Sequence, residues 1–269
     1  MTNINQGAPA AARPEAILEV RRLTRSYGTG GKAVTVLKDL ALTIFRGEFV
    51  CIVGPSGAGK TTLLRCLSGL LAPSSGEVLL DGKVFDAPPR GMAVVFQDYS
   101  RSLFPWMTVR ANVELPLKSL GESAQACARR SSQMLEAVGL GGSEHKYPRQ
   151  LSGGMQQRVA IARALAVQPE VLLMDEPFAA LDAQTRAELE DLVLSLQRDF
   201  GVTVVFVTHD IDESVYLSDR VIVLGGRPAG VDVVLDIPLS KPRDQIASRN
   251  EPAFGELRAQ VLRRIRGHR

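Results

Sequence analysis

A run of eight residues contains the most specific chemical pattern in this chain: a glycine, four further residues, a second glycine, a lysine and a threonine. Because glycine has no Cβ, backbone N–H groups in such a run can turn toward phosphate oxygens. The lysine ammonium is suited to neutralise a terminal phosphate, and the threonine hydroxyl is suited to bind Mg²⁺. The pattern predicts a phosphate-binding loop, hereafter the phosphate loop, with the sequence Gly54-Pro55-Ser56-Gly57-Ala58-Gly59-Lys60-Thr61.

The flanking residues predict the local structure that such a loop needs. Residues 49–53 form a short apolar run typical of a buried strand, and residues 61–70 have the pattern of a helix. The start of a helix adds partial positive charge beneath a bound anion. An ordinary glycine-rich turn is the alternative, but the strand before it and the helix after it favour the phosphate loop.

Two carboxylates follow a second apolar run. Asp175 and Glu176 come directly after residues 171–174, which read as a buried strand. The carboxyl ends of parallel strands face the ligand crevice of a sheet. Asp175 is suited to hold Mg²⁺ opposite Thr61, and Glu176 is suited to polarise the water that attacks a γ-phosphate. A solvated acidic turn at the end of a strand is the alternative.

A second glycine-rich segment precedes another predicted helix. Ser152 is placed as its N-cap, and the two glycines that follow leave backbone N–H groups open to an anion. The chain thus carries a second anion site, separate from the phosphate loop. The segment reads Leu151-Ser152-Gly153-Gly154-Met155-Gln156-Gln157-Arg158.

With these motifs in this order, residues 18–224 resemble the ATP-binding cassette (ABC) ATPases. The resemblance implies a homodimer in which the Ser152 segment of one chain completes the ATP site of the other. It implies ATP and Mg²⁺ as cofactors, with Mg²⁺ bound by Thr61, Gln97 and Asp175. It assigns catalysis to Glu176, His209 and Gln97. The implied ATP-binding residues are Tyr27, Gly54, Pro55, Ser56, Gly57, Ala58, Gly59, Lys60, Thr61, Thr62, Ser152, Gly153, Gly154 and Asp182.

Four of these positions rest on short matches to the family pattern. Tyr27 matches an aromatic that stacks on adenine, and Gln97 matches a glutamine that contacts Mg²⁺ and the attacking water. His209 matches a histidine that senses the γ-phosphate, and Asp182 matches a loop that crosses the dimer interface. Taken singly, a half-buried tyrosine, a surface glutamine and a structural histidine remain alternatives.

The chain departs from the family pattern at two places. Ala179 stands where many relatives carry serine, so a serine hydroxyl contact does not transfer to this chain. Met155 stands where many relatives carry glutamine, which is a surface change.

The alternation of predicted strands and helices indicates an α/β protein with a largely parallel sheet. The resemblance implies a P-loop NTPase (RecA-like) core with an antiparallel β-subdomain and an inserted helical subdomain at about residues 98–168. We expect a disordered segment at residues 1–16, the ATPase domain at 17–236 and a basic extension at 237–269. In that extension, the apolar spacing at Phe254, Leu257, Val261, Leu262 and Ile265 favours a docked helix with a solvated basic face. Contact of that face with anionic lipid is the alternative.

Four large apolar residues, Leu103, Phe104, Trp106 and Met107, lie in a segment that serine and proline mark as a loop. An apolar loop suggests a partner surface, with packing inside the helical subdomain as the alternative. The sequence of this segment resembles that of the nitrate, sulfonate and taurine importer ATPases. In that family the region receives a membrane subunit, which implies docking of two permease subunits near Leu103 to Met107. An extracytoplasmic solute-binding protein would act indirectly.

Composition bounds the remaining classes. The formal net charge of +3 over 269 residues does not indicate nucleic acid as a partner. Three widely spaced cysteines without a CxxC pair favour a reduced compartment and core positions for Cys51 and Cys66. No stretch has the apolar length of a membrane span. The resemblance to importer ATPases implies a peripheral protein at the cytoplasmic face of the inner membrane. A soluble cassette ATPase outside transport and a non-hydrolysing regulator are the alternatives.

Overall fold

The computed structural model describes residues 15–28, 33–97 and 102–268. Of the predicted disordered segment at residues 1–16, residues 1–14 lie outside the described residues, but Ala16 already begins a strand, so the predicted end of the segment is wrong. Residues 98–101 of the predicted helical subdomain also lie outside the described residues. The described chain forms two β-sheets with helices on both faces of the larger sheet. This confirms the predicted α/β class with an antiparallel subdomain and a helical insertion.

The larger sheet has six strands in the order β10-β9-β3-β8-β7-β6. Five of them are parallel, and β10 pairs antiparallel with β9 at one edge. The carboxyl ends of the parallel strands therefore meet at one edge, where ligands bind in such sheets. The strands are β3 (Phe49–Val53), β6 (Met92–Val95), β7 (Val171–Asp175), β8 (Thr203–Val207), β9 (Arg220–Gly225) and β10 (Gly230–Asp236).

The three central strands of this sheet are buried along their whole length. Successive side chains point to opposite faces, so each strand supplies two separate cores. Along β3, Phe49, Cys51 and Val53 join one core, and Val50 and Ile52 join the other. A shift of one residue in the pairing would exchange the two sets, so burial on both faces fixes the register.

The smaller sheet is antiparallel and has the order β2-β1-β4-β5. Its apolar face packs against the helix after the phosphate loop and shares the second core with that face of the larger sheet. The predicted turn at Asp81 and Gly82 lies between β4 and β5, as expected. The strands are β1 (Ala16–Tyr27), β2 (Val34–Phe45), β4 (Ser75–Leu80) and β5 (Lys83–Val84).

Three helices, α2, α3 and α4, pack on one another between β6 and β7 in chain order. Side chains of Thr108, Ser123, Ser152 and Asp182 cap the starts of α2 to α5 by accepting a backbone N–H, which satisfies one donor that the helix leaves open. The helices are α1 (Lys60–Leu67), α2 (Val109–Ser119), α3 (Ala124–Ala137), α4 (Gly153–Ala166), α5 (Ala183–Phe200), α6 (Ile211–Leu217), α7 (Ala247–Asn250) and α8 (Pro252–Arg266).

The C-terminal helix α8 docks on the body of the protein. Phe254, Leu257, Val261 and Ile265 are buried in the first core, which confirms the docked helix expected from their spacing. Leu262 lies at the margin of this face and is half-buried. Across the described ranges, the structure contains no helix that is long and apolar enough to cross a bilayer.

The prediction that the apolar loop faces a partner is wrong for one of its four residues. Leu103 has only 2% of its surface exposed and belongs to the first core, so it packs within the fold instead of facing a partner. Trp106 is 71% exposed, and Phe104 and Met107 are half-buried. Spacing alone did not separate Leu103 from its neighbours, because burial here depends on how the α2–α4 helices close over the loop.

A comparison of two glycines of the antiparallel sheet shows how closely β1 and β4 approach. One lies in β4 and the other lies in the turn between β4 and β5. Gly76 and Gly82 both have φ in the left-handed region, at 81° and 70°. A Cβ at Gly76 would collide with the backbone carbonyl of Arg22, whereas a Cβ at Gly82 would meet no atom within 4 Å. A residue with a Cβ would therefore have a strained backbone at both positions, but it would collide with a neighbouring strand only at Gly76.

We expect Gly82→Ala to lower the free energy of unfolding by about 1 kcal/mol, the cost of a left-handed alanine. Gly76→Ala adds overpacking against a strand and should lower it by about 3 kcal/mol. Urea unfolding of both variants and the parent measures the difference. Equal losses would show that β1 and β4 are not in close contact at Gly76.

Candidate functional site

The phosphate loop follows β3 and opens α1. Gly57 and Gly59 have φ of 78° and 76°, which a residue with a Cβ adopts only with strain. Gly54 has no such dihedral, but a Cβ there would lie 2.8 Å from the carbonyl oxygen of Leu224 on β9. Each of the three glycines in the loop is therefore required for a physical reason: two for their backbone conformation and one for the lack of space for a Cβ.

Lys60 lies at the first position of α1 and is only 8% exposed. Its ammonium donates hydrogen bonds to the carbonyl oxygens of Gly54 at 3.0 Å and Pro55 at 3.3 Å. Burial lowers the pKa of Lys60, and the nearby Glu176 and Asp175 carboxylates oppose that shift. The charge is therefore held inside the loop, with little water to screen it.

Asp175 ends β7 and is 6% exposed. The hydroxyl of Thr61 donates to Asp175 Oδ1 at 3.4 Å across the edge of the sheet. Burial raises the pKa of Asp175, and the bond from Thr61 acts against the shift. The sheet thus brings together the hydroxyl and the carboxylate that the sequence analysis predicted to face each other.

Glu176 and His209 follow the neighbouring strands β7 and β8. His209 Nδ1 lies 2.9 Å from Glu176 Oε2. Glu176 has φ of 43°, and its backbone N–H donates to the carbonyl oxygen of Val207 at 2.8 Å. The imidazole is 63% exposed and the carboxylate 20% exposed, so the pair stands at the surface of the sheet edge.

A cleft of about 320 Å³ lies between the phosphate loop and Glu176. The Tyr27 hydroxyl lies 3.3 Å from Thr62 Oγ1, which places the ring beside the start of α1. The ring is 39% exposed, with the Arg25 guanidinium 4.9 Å from its centroid. The lining residues are Val36, Ser56, Gly57, Ala58, Gly59, Lys60, Thr61, Thr62 and Glu176.

The second glycine-rich segment lies elsewhere. Ser152 caps α4 through its hydroxyl, which accepts from the N–H of Met155 at 3.3 Å and confirms the predicted N-cap. A Cβ at Gly154 would collide with the side chain of Thr185, so α4 approaches the start of α5 closely there. Among the residues described as lining the cleft, none belongs to the 152–154 segment.

The other two predicted positions lie at element ends. Asp182 caps α5, where its Oδ1 accepts from the N–H of Thr185 at 3.0 Å. Gln97 follows β6, the edge strand beside β7, and its side chain is exposed.

Sequence reasoning did not find three residues that lie directly behind the Glu176–His209 pair. A cavity of about 20 Å³ is lined by both members of the pair and by Arg186, Asp210 and Glu213. Arg186 is in the first turn of α5, Asp210 caps α6, and Glu213 lies within α6. Asp210 was adjacent to a predicted residue, but nothing in the sequence linked it to Arg186.

The phosphate loop and the acidic end of β7 face each other across one cleft, where a triphosphate can be bound and its hydrolysis assisted. The protein is therefore a P-loop ATPase. The family model described as ABC transporter matches residues 37–179, more than half of the chain. The chain belongs to the ABC transporter family, and its place in that family is that of the ATP-binding, ATP-hydrolysing subunit.

Curated relatives match most of the chain. An uncharacterized ABC transporter ATP-binding protein of Methanocaldococcus jannaschii is 47% identical over 91% of this chain and 90% of its own length. A nitrate import ATP-binding protein of Synechococcus elongatus is 43% identical over 88% and 87%. An aliphatic sulfonates import ATP-binding protein of Bacillus licheniformis is 43% identical over 91% and 93%.

Solved structures share the fold. One subunit of an ABC transporter complex of Clostridium perfringens is 32% identical and covers 83% of this chain and 89% of its own, with a TM-score of 0.75. A dimeric ATP-binding cassette in a post-hydrolysis state with ADP and phosphate is 35% identical and covers 82% and 99%, with a TM-score of 0.72.

The Glu213 carboxyl gives a test of this region through pH. Burial raises the pKa of Glu213 from its ordinary value of 4.5 to about 8. Between these values the folded chain keeps a proton that the unfolded chain has lost, so the carboxyl destabilises the fold increasingly as pH rises.

We expect the parent to lose stability relative to Glu213→Gln by up to about 1.4 kcal/mol per pH unit between about pH 5 and pH 8. The difference arises because the glutamine has no proton to lose. Urea unfolding of both proteins at several pH values measures it. Parallel pH profiles would show that Glu213 titrates in its ordinary range.

Proposed function

We propose that the chain is the energy-coupling ATPase of an ABC importer for a small solute of the nitrate, sulfonate or taurine kind. Two copies close around two ATP molecules, and hydrolysis reopens the pair. The names of the nitrate and sulfonate import relatives support the importer class. Nitrate and sulfonate rest on these names, and taurine rests on the sequence resemblance of the segment around Leu103 to Met107. In the proposed transport the solute does not contact this chain.

The observation that carries the proposal is the 2.9 Å contact between Glu176 and His209 beside the phosphate loop. A carboxylate at this place orients the attacking water and accepts its proton. The His209 imidazole holds the carboxylate from one side and is free to contact the γ-phosphate with its other nitrogen. Lys60 neutralises the β- and γ-phosphates, while the loop N–H groups hold their oxygens.

The residues around Thr61 and Asp175 fit Mg²⁺. Both supply oxygen ligands, which this ion prefers, and their 3.4 Å contact crosses the edge of the cleft. Gln97 adds an amide oxygen from the end of β6. When bound, Mg²⁺ neutralises charge on the triphosphate. The burial of Asp175 favours a cation there, because a cation offsets the cost of the desolvated carboxylate.

A homodimer explains why the Ser152 segment stands apart from the cleft. The start of α4 presents backbone N–H groups that are suited to a phosphate, but the same chain's cleft is lined by other residues. A second copy arranged head to tail brings Ser152, Gly153 and Gly154 to the γ-phosphate held by the first. Asp182 then lies at the contact between the two chains. The dimeric cassette among the solved structures supports this arrangement.

The loop around Trp106 is proposed as the surface that receives a permease subunit. Trp106 is 71% exposed and packs against Phe104 in a tilted arrangement, with the ring centroids 5.4 Å apart. The buried Asn112 holds this loop: its Oδ1 accepts from the Phe104 N–H, and its Nδ2 donates to the carbonyl oxygens of Phe104, Met107 and Thr108. A fixed loop that displays a large aromatic is suited to anchor a partner.

Two such surfaces per dimer bind two permease subunits. The chain then lies at the cytoplasmic face of the inner membrane as a peripheral subunit. An extracytoplasmic solute-binding protein delivers the solute to the permease, and no nucleic acid takes part.

Glu176→Gln should retain ATP binding and lose at least about a hundredfold in kcat, because an amide does not accept the proton of the attacking water. ATP should also hold this variant as a dimer. Steady-state ATPase assays and gel filtration with ATP measure both effects. Lys60→Ala is the contrasting variant, since it should weaken nucleotide binding itself. Unchanged turnover in Glu176→Gln would exclude the assigned role.

Trp106→Ala should leave nucleotide affinity unchanged but weaken assembly with the permease by about 2 kcal/mol, roughly thirtyfold in Kd. The matched control is Ile246→Ala, which removes an equally exposed apolar side chain from the C-terminal region. Co-purification with the permease and transport in vesicles are the measurements. Normal assembly of Trp106→Ala at unchanged thermal stability would contradict the docking surface.

A further inference from the structure

Arg186 connects the turns that follow two neighbouring strands. Its Nη2 donates to the carbonyl oxygen of Leu181 at 3.2 Å, in the turn that leads from β7 to α5. Its Nη1 contacts Asp210 Oδ2 at 3.3 Å, directly after His209. One guanidinium therefore joins the Leu181–Asp182 turn to the segment that carries His209.

Asp210 in turn fixes the backbone on both sides of His209. Its Oδ1 accepts from the N–H groups of Asp212 at 2.9 Å and Glu213 at 3.2 Å, at the start of α6. Its own N–H donates to Thr208 Oγ1 at 3.0 Å. A displacement of Asp210 therefore displaces the residue before it, and with it the His209 imidazole that contacts Glu176.

The C-terminal region holds α6 at both ends. Arg243 donates to the carbonyl oxygens of Val215, Tyr216 and Ser218 at the end of α6. Arg258 of α8 forms an ion pair with Asp212 in its first turn. These contacts fix α6 against the body of the protein. Arg186 separately ties the start of α6 to the Leu181–Asp182 turn.

We propose that Arg186 is a positioning residue that couples the Leu181–Asp182 turn to His209 through Asp210. The inference rests on the proposed function, in which this turn meets the second chain of the dimer. In the single chain His209 already lies 2.9 Å from Glu176. A shift of the turn when the second chain arrives is transmitted by Arg186 to Asp210 and alters that contact. Each ATP site thereby responds to the formation of the dimer through a contact inside its own chain.

The chemistry of the bridge requires arginine. A guanidinium is planar and presents several N–H groups in a fixed fork, so it can bind a carboxylate and a carbonyl at once. An ammonium is a point charge, and a lysine here would satisfy Asp210 or Leu181 but not both in the same geometry. Arg186 also lines the small cavity beside Glu176 and His209, which puts its charge close to that pair.

The test is a double-mutant cycle on the full-length chain, with Arg186→Gln, Asp210→Asn and the double variant. Asparagine retains the cap of α6 but loses the charge that pairs with Arg186. We expect each single change to lower kcat by about tenfold, which corresponds to about 1.4 kcal/mol in the barrier and is comparable to coupling energies between contacting residues. The double variant should be no slower than either single variant, and the affinity for a fluorescent ATP analogue should not change.

Arg186→Lys should recover only part of kcat. The matched control is Arg198→Gln on the same helix, because Arg198 forms an exposed pair with Asp199 and should have parental activity. Additive losses in the double variant, or a parental kcat in Arg186→Gln, would overturn the bridge. If Arg186→Gln is unfolded at the assay temperature, Asp210→Asn decides alone, and a parental kcat in that variant overturns the proposal.

These outcomes differ from a failure of the proposed function. A parent chain that binds ATP but does not hydrolyse it, alone or with its permease, would refute the function and the bridge with it. A parent chain that hydrolyses ATP, with additive losses in the cycle, refutes the bridge alone.

Discussion

The pairing of β3, β8 and β7 as adjacent parallel strands is the constraint on which the site depends. Parallel pairing puts the phosphate loop, His209 and the Asp175–Glu176 pair at one edge of the sheet. Burial on both faces fixes the register of these strands, and a slip of one residue would point the wrong side chains into each core. The hydrophobic pattern of three short strands thereby sets the positions of the polar groups.

Burial at this edge acts on both signs of charge. It lowers the pKa of Lys60 and raises the pKa of Asp175, so each charged form is disfavoured by loss of water. A bound triphosphate would stabilise the lysine, and a divalent cation would stabilise the aspartate. In the free chain the charged forms of Lys60 and Asp175 are disfavoured by burial, and the binding of both ligands would stabilise them. The stability of the fold offsets the cost of their desolvation.

The surroundings of the site are divided between parts of the chain that are far apart in sequence. The α2–α4 helices carry the Ser152 segment and the Trp106 loop, whereas the C-terminal region braces α6 through Arg243 and Arg258. The helices thus carry the surfaces proposed for a second chain and for a permease. These contacts fix α6 to the body of the protein, and the bridge proposed for Arg186 links the start of this helix to the Leu181–Asp182 turn.

The sequence by itself determined the features that depend on local rules. These are the phosphate loop, the buried strands around it, the Ser152 cap and the α/β class. These depend on residue type and short spacing, and the structure agrees with them. Tertiary structure alone decided that Leu103 is core while Trp106 is exposed, and that Arg186 meets Asp210, which is 24 residues away. Such contacts depend on the relative placement of separate elements, and short-range spacing along the chain does not encode that placement.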